Sequence, residues 1–554
     1  MMLRIPIGTE DFKDIRKQFY FVDKSSFISE FFRRRAAVTL ITRPRRFGKT
    51  LTLSMMKYFL DLENAEENRK LFDGLRVTED AAAMQEQGTR PVVFLTLKNF
   101  DGYTWKEMQD SFAYGMQSLF LPFKYLLDCD KIAPEDKALF RKICKEEANV
   151  SALRYSLDLL LRMLHAFYGK RVVLLLDEYD APLQNAWDGG YYPEAIKFFR
   201  FFFSSAFKTN PSLDFAILTG VLRIAKESIF SGLNNLKVST VVSGGYADAF
   251  GYTKDDIAKM AQDLGHADKV GELADWYDGY DFQGVDIYNP WSVNNYFEEG
   301  CRPAPYWLNT SGNAILSELL AHIDETRAAE IEQLIDGKTV TVNLDEAFVY
   351  DDIGKNSDDL YTLLLFTGYL KCVRTTMEDD EFLCELAIPN REIRSLYRRE
   401  IKGKFSGTSG RSILLRMTSA MERGDDSAFS SCLQKILRDM ASVHDTAKPE
   451  SFYHGLMLGL TVWLNTKYCI RSNRESGYGR FDLALFPNDR QLPGILMEFK
   501  SVGDESKLEF AADAACQQMQ EREYASALKE EGVRTIWCYG IAFCKKRVAI
   551  HLAK

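Results

Sequence analysis

The chain has no apolar run approaching the ~20 residues that a membrane-spanning helix needs, and its longest, such as VVLLL at 172–176, have the length of a strand. Its ten cysteines include no C-x-x-C pair, so neither a zinc site nor a disulfide framework is suggested. An excess of positive charge is also missing: 70 Lys and Arg stand against 79 Asp and Glu, a formal net charge of −9. That balance excludes a protein that coats nucleic acid by charge alone, because nonspecific phosphate binding needs clustered cations. There is no internal repeat or low-complexity tract. The opening MMLRIPIGTEDF lacks the charged start, apolar stretch and small-residue cleavage site of a secretory signal, so the cytoplasm is the expected location and no membrane partner is expected.

What is present is length and a globular composition, 554 residues with 46% apolar and 27% charged, which exceeds what one core organises and predicts two to four packed units. Strand-like runs at 36–42, 91–97, 171–177, 213–219 and 236–242 alternate with helical stretches. Continuous apolar strands of this kind are buried on both faces, as in a parallel sheet covered by helices. The texture becomes helical over 253–350, interrupted by the aromatic segment WYDGYDFQGVDIYNPW, and 359–389 reads as helix, Gly turn, strand, acidic hairpin and strand, which suits a winged-helix unit. Residues 391–444 read as a helical connector with a break at GTSG. From Ser451 a separate α/β order begins: helix 452–465, strands 467–472, 480–486 and 494–500, helix 507–529 and strand 534–539. The expected domains are therefore 1–250, 251–390, 391–450 and 451–554.

Thr42-Arg43-Pro44-Arg45-Arg46-Phe47-Gly48-Lys49-Thr50 lies between the first strand and the first helix, where backbone N–H groups and a helix N-terminus face an anion. Lys49 would reach the β- and γ-phosphates of ATP and Thr50 would place its hydroxyl on Mg²⁺, with Arg46 and Gly48 shaping the loop. Arg43 stands where the usual pattern begins with Gly, so the loop must enter its turn without that glycine. The run Arg33, Arg34, Arg35, Arg43, Arg45 and Arg46 is a local basic cluster that serves either this loop or a nucleic acid. Strand 172–177 ends in Asp177 and Glu178; Asp177 would hold Mg²⁺ through water, and Glu178 would orient or activate the attacking water. Thr219, at the end of the next strand, and Arg223 are candidates for contact with the γ-phosphate, against the plainer reading of a capping Thr and a solvated Arg.

In RSNRESGYGRFDLALFPNDRQLPGILMEFKS (471–501), Asp482 lies near the start of one strand and Glu498-Phe499-Lys500 on the next. Period-two geometry puts Glu498 and Lys500 on one face, with Asp482 alongside across a hairpin. Two carboxylates and a backbone carbonyl suit Mg²⁺ or Mn²⁺, and Lys500 can orient or deprotonate the attacking water. The competing reading is a structural Glu498–Lys500 ion pair. His454 and Tyr453 open an apolar helix, where core or capping roles outweigh catalysis. The phenylalanine-rich KFFRFFFSSAF at 197–207 reads as a buried helix rather than a base-stacking platform.

Together, FVDKSSFI (21–28), LITRPRRFGKTLTLSMMKYF (40–59), LLLDEYDAPL (174–183), TGVLRIAKESIFSGLNNL (219–236), WYDGYDF (276–282) and YNPWSV (288–293) resemble the bacterial AAA-ATPase-like family, and Asp482, Glu498 and Lys500 fall on the pattern of the PD-(D/E)XK nuclease fold. The resemblance implies an α/β fold: a P-loop NTPase parallel sheet of the additional-strand class with a helical or winged-helix lid, plus a C-terminal α/β PD-(D/E)XK nuclease-like domain. It further implies Glu475 as an acidic participant and Gln517 as the glutamine that often accompanies this nuclease fold. The function it implies is ATP binding or hydrolysis that controls a metal-dependent nuclease acting on DNA or RNA, with a homo-oligomer as one possible assembly. The rival is a nucleotide-dependent signalling switch whose C-terminal domain binds a partner without cutting, and a third reading gives nucleic-acid recognition to the winged-helix-like segment.

Overall fold

Five aliphatic runs form the first sheet of the computed structural model: β1 (Val38–Thr42), β2 (Val92–Thr96), β3 (Val172–Asp177), β4 (Leu213–Gly220) and β5 (Leu236–Ser239). All are parallel, in the order β2-β3-β4-β1-β5. β1 and β3 are buried along their whole length, which is why their sequences do not alternate. The insertion of β4 between β1 and β3 follows the expected additional-strand topology, and its register sets Thr219 beside Ile41 of β1 while Leu218 pairs with Leu176 of β3. The ends of β1, β3 and β4 thus bring the phosphate loop, Asp177 and Thr219 to one edge, the carboxyl edge where α/β sheets bind ligands.

The structure describes residues 4–223, 236–309, 330–331, 333–344, 346, 357–378, 381–404, 410–439, 449–461, 464, 467–476 and 479–553. The chain divides into two compact units, Met1–Ser311 with Thr339–Ile393 and Gly312–Lys338 with Arg394–Lys554.

In the first unit, helix α1 (Lys49–Leu60) leaves the phosphate loop and helix α2 (Tyr192–Phe207) carries the phenylalanine run. Phe198, Phe199, Phe202, Phe203 and Phe207 are buried, as a core helix requires, with Phe201 exposed. Beyond the sheet come the hairpin β6 (Tyr280–Phe282) and β7 (Val285–Ile287), helix α3 (Pro290–Glu298), and a three-stranded sheet of β8 (Val340–Asn343), β9 (Lys371–Glu378) and β10 (Glu381–Ala387) in the order β8-β10-β9. Helix α4 (Ser357–Thr367) precedes the β9–β10 hairpin, so the helix, Gly turn and hairpin read from sequence are present, with β8 as a further strand. A disulfide joins Cys372 of β9 to Cys384 of β10, a cross-strand pairing that the scattered cysteine spacing does not reveal.

The second unit is built on a mixed sheet, β11 (Tyr468–Ser476), β12 (Gly479–Pro487), β13 (Gly494–Ser501), β14 (Ile536–Cys544) and β15 (Arg547–Leu552), in that order. β13 and β14 run parallel and the other neighbours antiparallel. β15 has no counterpart among the sequence-based strands. Helices α5 (Gly410–Arg423), α6 (Asp426–Asp439) and α7 (Pro449–Thr461) share one apolar core with the sheet, through Leu414, Met417, Phe429 and Leu433 against Leu483, Met497, Phe499 and Tyr539. The stretch read as a connector therefore supplies part of this unit's core, and the Tyr539 hydroxyl donates to the Met421 carbonyl at 2.9 Å. Helix α8 (Leu508–Glu521) covers the other face, with Cys516 and Met519 packed on Ala484 and Leu496.

Candidate functional site

Gly48 caps α1 at φ 84° and ψ 19°, left-handed values that exclude most side chains although a Cβ there would meet nothing. Arg46 also takes a positive φ, 69°, so the loop turns sharply twice, the backbone form that turns N–H groups toward an anion. Lys49 is buried, and its Nζ donates to the carbonyls of Arg43 (2.9 Å) and Pro44 (2.8 Å). Burial lowers its pKa, opposed by the charges of Glu178 and Asp177.

The absent first glycine has a structural explanation. The Arg43 N–H still pairs with the Gly220 carbonyl at 3.1 Å, keeping the loop entry in register with β4. Its side chain is fully buried and reaches the carbonyls of Thr42 (2.8 Å), Ser239 (3.2 Å), Gly245 (3.1 Å) and Tyr246 (3.0 Å). The guanidinium also lies over the rings of Phe250 and Phe282, 5.4 and 5.3 Å from their centres. Burial pushes its pKa down to about 9. Arg43 is thus a tie between the loop entry and the chain after β5.

Asp177, 1% exposed, accepts the Thr50 hydroxyl on Oδ2 at 2.7 Å and the Thr219 hydroxyl on Oδ1 at 2.6 Å. The strand order alone explains this meeting of residues from three segments. Glu178 follows at φ 51°, half-buried, with its pKa raised by burial and then by Asp177. Arg223 stands half-buried four residues beyond Thr219, and among the described residues no hydrogen bond or ion pair joins it to Asp177 or Lys49.

Sequence reasoning missed three contributors. Asp180 is buried and accepts the N–H groups of Val221 and Leu222, both at 2.8 Å, while the Tyr179 hydroxyl donates to the Leu222 carbonyl at 2.6 Å. Together they clamp the segment leading to Arg223, and the second aspartate of DEYD was the available signal. Trp291, on α3, lies under the Arg46 guanidinium, 3.7 Å from ring centre. The aromatic segment therefore packs onto the phosphate loop: Phe47 is 5.0 Å from Tyr280 and 5.2 Å from Phe282, and the Gly251 N–H donates to the Phe47 carbonyl at 3.0 Å. Gly368, at φ 91°, sits so close that a Cβ would come within 2.9 Å of Pro44.

In the second unit, the register Leu483↔Met497 brings Asp482 beside Glu498. Asp482 Oδ2 accepts the Phe499 N–H at 2.7 Å. Glu498 is 3% exposed; its Oε1 accepts from Gln518 Nε2 and lies 3.5 Å from Lys500 Nζ. Its Oε2 is buried and has no hydrogen-bond partner among the described residues. Burial, then the Asp482 charge, raises its pKa to about 7, with Lys500 opposing. A buried, unsatisfied carboxylate oxygen beside a second carboxylate fits a hard divalent cation. Among the described residues no group of three or more His, Cys, Asp or Glu is placed to hold a metal, so backbone oxygen or water would complete such a site.

Two accessory positions differ in what the structure shows. Gln517 is exposed, and its neighbour Gln518 is the residue that faces Glu498 and Tyr524. The correction follows from helix phase: Ala511, Ala515 and Gln518, spaced i, i+4 and i+7, share a face, and Ala511 and Ala515 are buried. Glu475 pairs with Arg480 through the β11–β12 backbone, and its side chain lies outside the described residues.

A parallel sheet carrying a phosphate loop and an acidic strand, with a mixed sheet carrying an Asp and Glu-x-Lys, defines a P-loop NTPase module joined to a PD-(D/E)XK-type module. The chain carries both domains: residues 6–230 match the AAA-ATPase-like family model, described as Predicted AAA-ATPase, and residues 448–552 match the PD-(D/E)XK nuclease superfamily. It is also 27% identical over 563 residues, 98% of this chain and 96% of the relative, to an uncharacterized protein in the vnfD 5′ region of Azotobacter chroococcum mcd 1. No helix among the described residues is long and apolar enough to cross a membrane.

Proposed function

We propose that the first unit binds and hydrolyses ATP with Mg²⁺, and that its nucleotide state controls metal-dependent cleavage of DNA or RNA by the second. The first half is carried by the convergence of Thr50 and Thr219 on Asp177 beside a buried Lys49. In this reading the N–H groups around Gly48 hold the triphosphate, and Lys49 exchanges the Arg43 and Pro44 carbonyls for the β- and γ-phosphates. Thr50 and Asp177 would hold Mg²⁺, which supplies charge neutralisation when bound. Glu178, whose environment raises its proton affinity, orients the attacking water and takes its proton. Arg46, Thr219 and Arg223 are the residues available to the γ-phosphate.

In the second unit Asp482 and Glu498 would hold Mg²⁺ or Mn²⁺, which supplies Lewis acidity to the phosphodiester. Lys500 orients water for attack on phosphorus and stabilises the charge that develops as the P–O bond breaks. The Glu498 Oε2, which has no hydrogen-bond partner among the described residues, supports this reading over a purely structural ion pair. Control of one unit by the other is supported by their covalent linkage.

The test is incubation of the purified chain with ATP, Mg²⁺ or Mn²⁺ and a panel of single- and double-stranded DNA and RNA, following ADP and cut products together. Lys49→Ala is expected to lower ATP turnover by roughly 100-fold or more, in the range of a lost catalytic electrostatic contact, and Lys500→Ala to abolish cutting while leaving ATP turnover intact. Undiminished turnover in Lys49→Ala rejects the ATPase assignment.

A further inference from the structure

We infer that His454 is a positioning residue of the metal site, bracing both of its strands from the opposite face of the sheet; the inference rests on the nuclease reading above. Glu498 shares the α8 side of the sheet with Leu496, where Gln518 reaches it. Met497 and Phe499 point the other way, into the core formed with α5, α6 and α7. His454 stands on α7, on that second side, and touches both strands.

Its Nε2 lies 3.0 Å from the Asp482 carbonyl oxygen and 3.0 Å from Ser472 Oγ. A carbonyl only accepts, so Nε2 carries the proton and donates to Asp482. The imidazole is 5.6 Å from the ring of Phe499, the residue between Glu498 and Lys500. Phe499 in turn donates its N–H to the Asp482 carboxylate at 2.7 Å. These three contacts close a circuit from imidazole to Asp482 peptide, from Asp482 carboxylate to Phe499 peptide, and from Phe499 ring back to imidazole.

The circuit stands where the ladder between the strands ends. β12 pairs with β13 from Leu485 to Leu483, and Asp482 is the next residue. There side chains take over from backbone pairing: the Asp482 carboxylate accepts one strand's N–H and His454 donates to the other strand's carbonyl. The distance between the Asp482 and Glu498 carboxylates, which decides whether one cation can bridge them, is therefore set partly by His454. Groups that orient metal ligands typically change metal affinity by about 10–100-fold when removed.

Mn²⁺ binding to the full chain, followed by electron paramagnetic resonance and calorimetry, tests this without an activity assay. The wild type is expected to show a site that Asp482→Asn removes. His454→Ala is expected to weaken that site by about 10–100-fold, and His454→Gln, whose Nε2–H can reach the same oxygen, to restore it to within about threefold of wild type. His454→Phe keeps a ring against Phe499 but has no donor; it is expected to weaken binding as the alanine does and serves as the folded substitute should His454→Ala not fold. Leu456→Ala on the same helix, which thins the core behind the sheet, is expected to lower the melting temperature while leaving Mn²⁺ affinity unchanged. Wild-type affinity in both His454→Ala and His454→Phe, or an equal loss in Leu456→Ala, overturns the inference alone. Absence of an Asp482-dependent Mn²⁺ site in the wild type overturns the nuclease reading beneath it and the inference with it.

Discussion

The guanidinium of Arg46 lies face-on over the indole of Trp291, 3.7 Å from the ring centre, so a residue of the phosphate loop is held by the aromatic segment that follows the sheet. Such a stack contributes about 0.5–2 kcal/mol, less than a charge-assisted Arg–phosphate contact can offer. A nucleotide that engages Arg46 should therefore free Trp291. Addition of ATP and Mg²⁺ is expected to change the tryptophan emission of the wild type, and Trp291→Phe to lose most of that change. The same change in Trp291→Phe would place the reporter elsewhere.

Arg43 makes a less intuitive expectation. Replacing it by glycine restores the commoner start of a phosphate loop, yet it removes a buried cation from the carbonyls of Ser239, Gly245 and Tyr246 and opens a cavity beside Phe250 and Phe282. Arg43→Gly is expected to destabilise the first unit by about 3 kcal/mol or more, read as a fall in its thermal transition. Arg43→Lys keeps the charge but not the fork and should also be less stable than wild type. Unchanged melting in Arg43→Gly would show that the tie carries little stability.

In the proposed mechanism Glu178 separates hydrolysis from binding. Glu178→Gln keeps shape and removes the proton acceptor, so ATP turnover should fall by roughly 100-fold or more. Nucleotide affinity, measured by calorimetry under non-hydrolysing conditions, should stay within about threefold of wild type because Lys49 and Thr50 are untouched. A parallel loss of binding would assign Glu178 to holding the loop instead.

The buried Glu392 supplies a pH dependence. It accepts from the Ser292 hydroxyl at 2.8 Å and the Trp307 N–H at 2.7 Å, and burial raises its pKa to about 7. A carboxyl whose folded pKa exceeds its unfolded one contributes stability that is fully present below the unfolded value and is lost as pH rises through the folded one. The first unit should lose on the order of 3 kcal/mol from this group between about pH 4.5 and pH 7. Glu392→Gln should flatten that slope in melting temperature measured from pH 4.5 to 8. An identical slope in the variant would assign the dependence to other groups.

Much of the first sheet was legible because its strands are apolar on both faces: each of the five runs read from sequence coincides with a strand to within a few residues, and VVLLLD is buried over its full length. The second unit was legible only in part. The helix read at 507–529 is present but ends at Glu521, with a separate short helix over Ser526–Glu530; the strands around Asp482 and Glu498 follow from pattern, whereas β15 and the core role of α5 and α6 depend on which surfaces meet. Gln517 and Gln518 differ by one position in sequence but by about 100° around a helix, and the choice between them was fixed by the side that packs on the sheet.

The sequence alone determined the chemical vocabulary: a Gly-Lys-Thr loop, an acid pair ending a buried strand, and an Asp with Glu-x-Lys, because strand periodicity and residue chemistry are local properties. Only tertiary structure decided the rest. The insertion of β4 brought Thr219 to Asp177, burial turned Arg43 from a loop cation into a tie, and packing set His454 behind Asp482. Each of these depends on contacts between residues dozens to hundreds of positions apart or on neighbours that exclude water, and neither is written in a short stretch of chain.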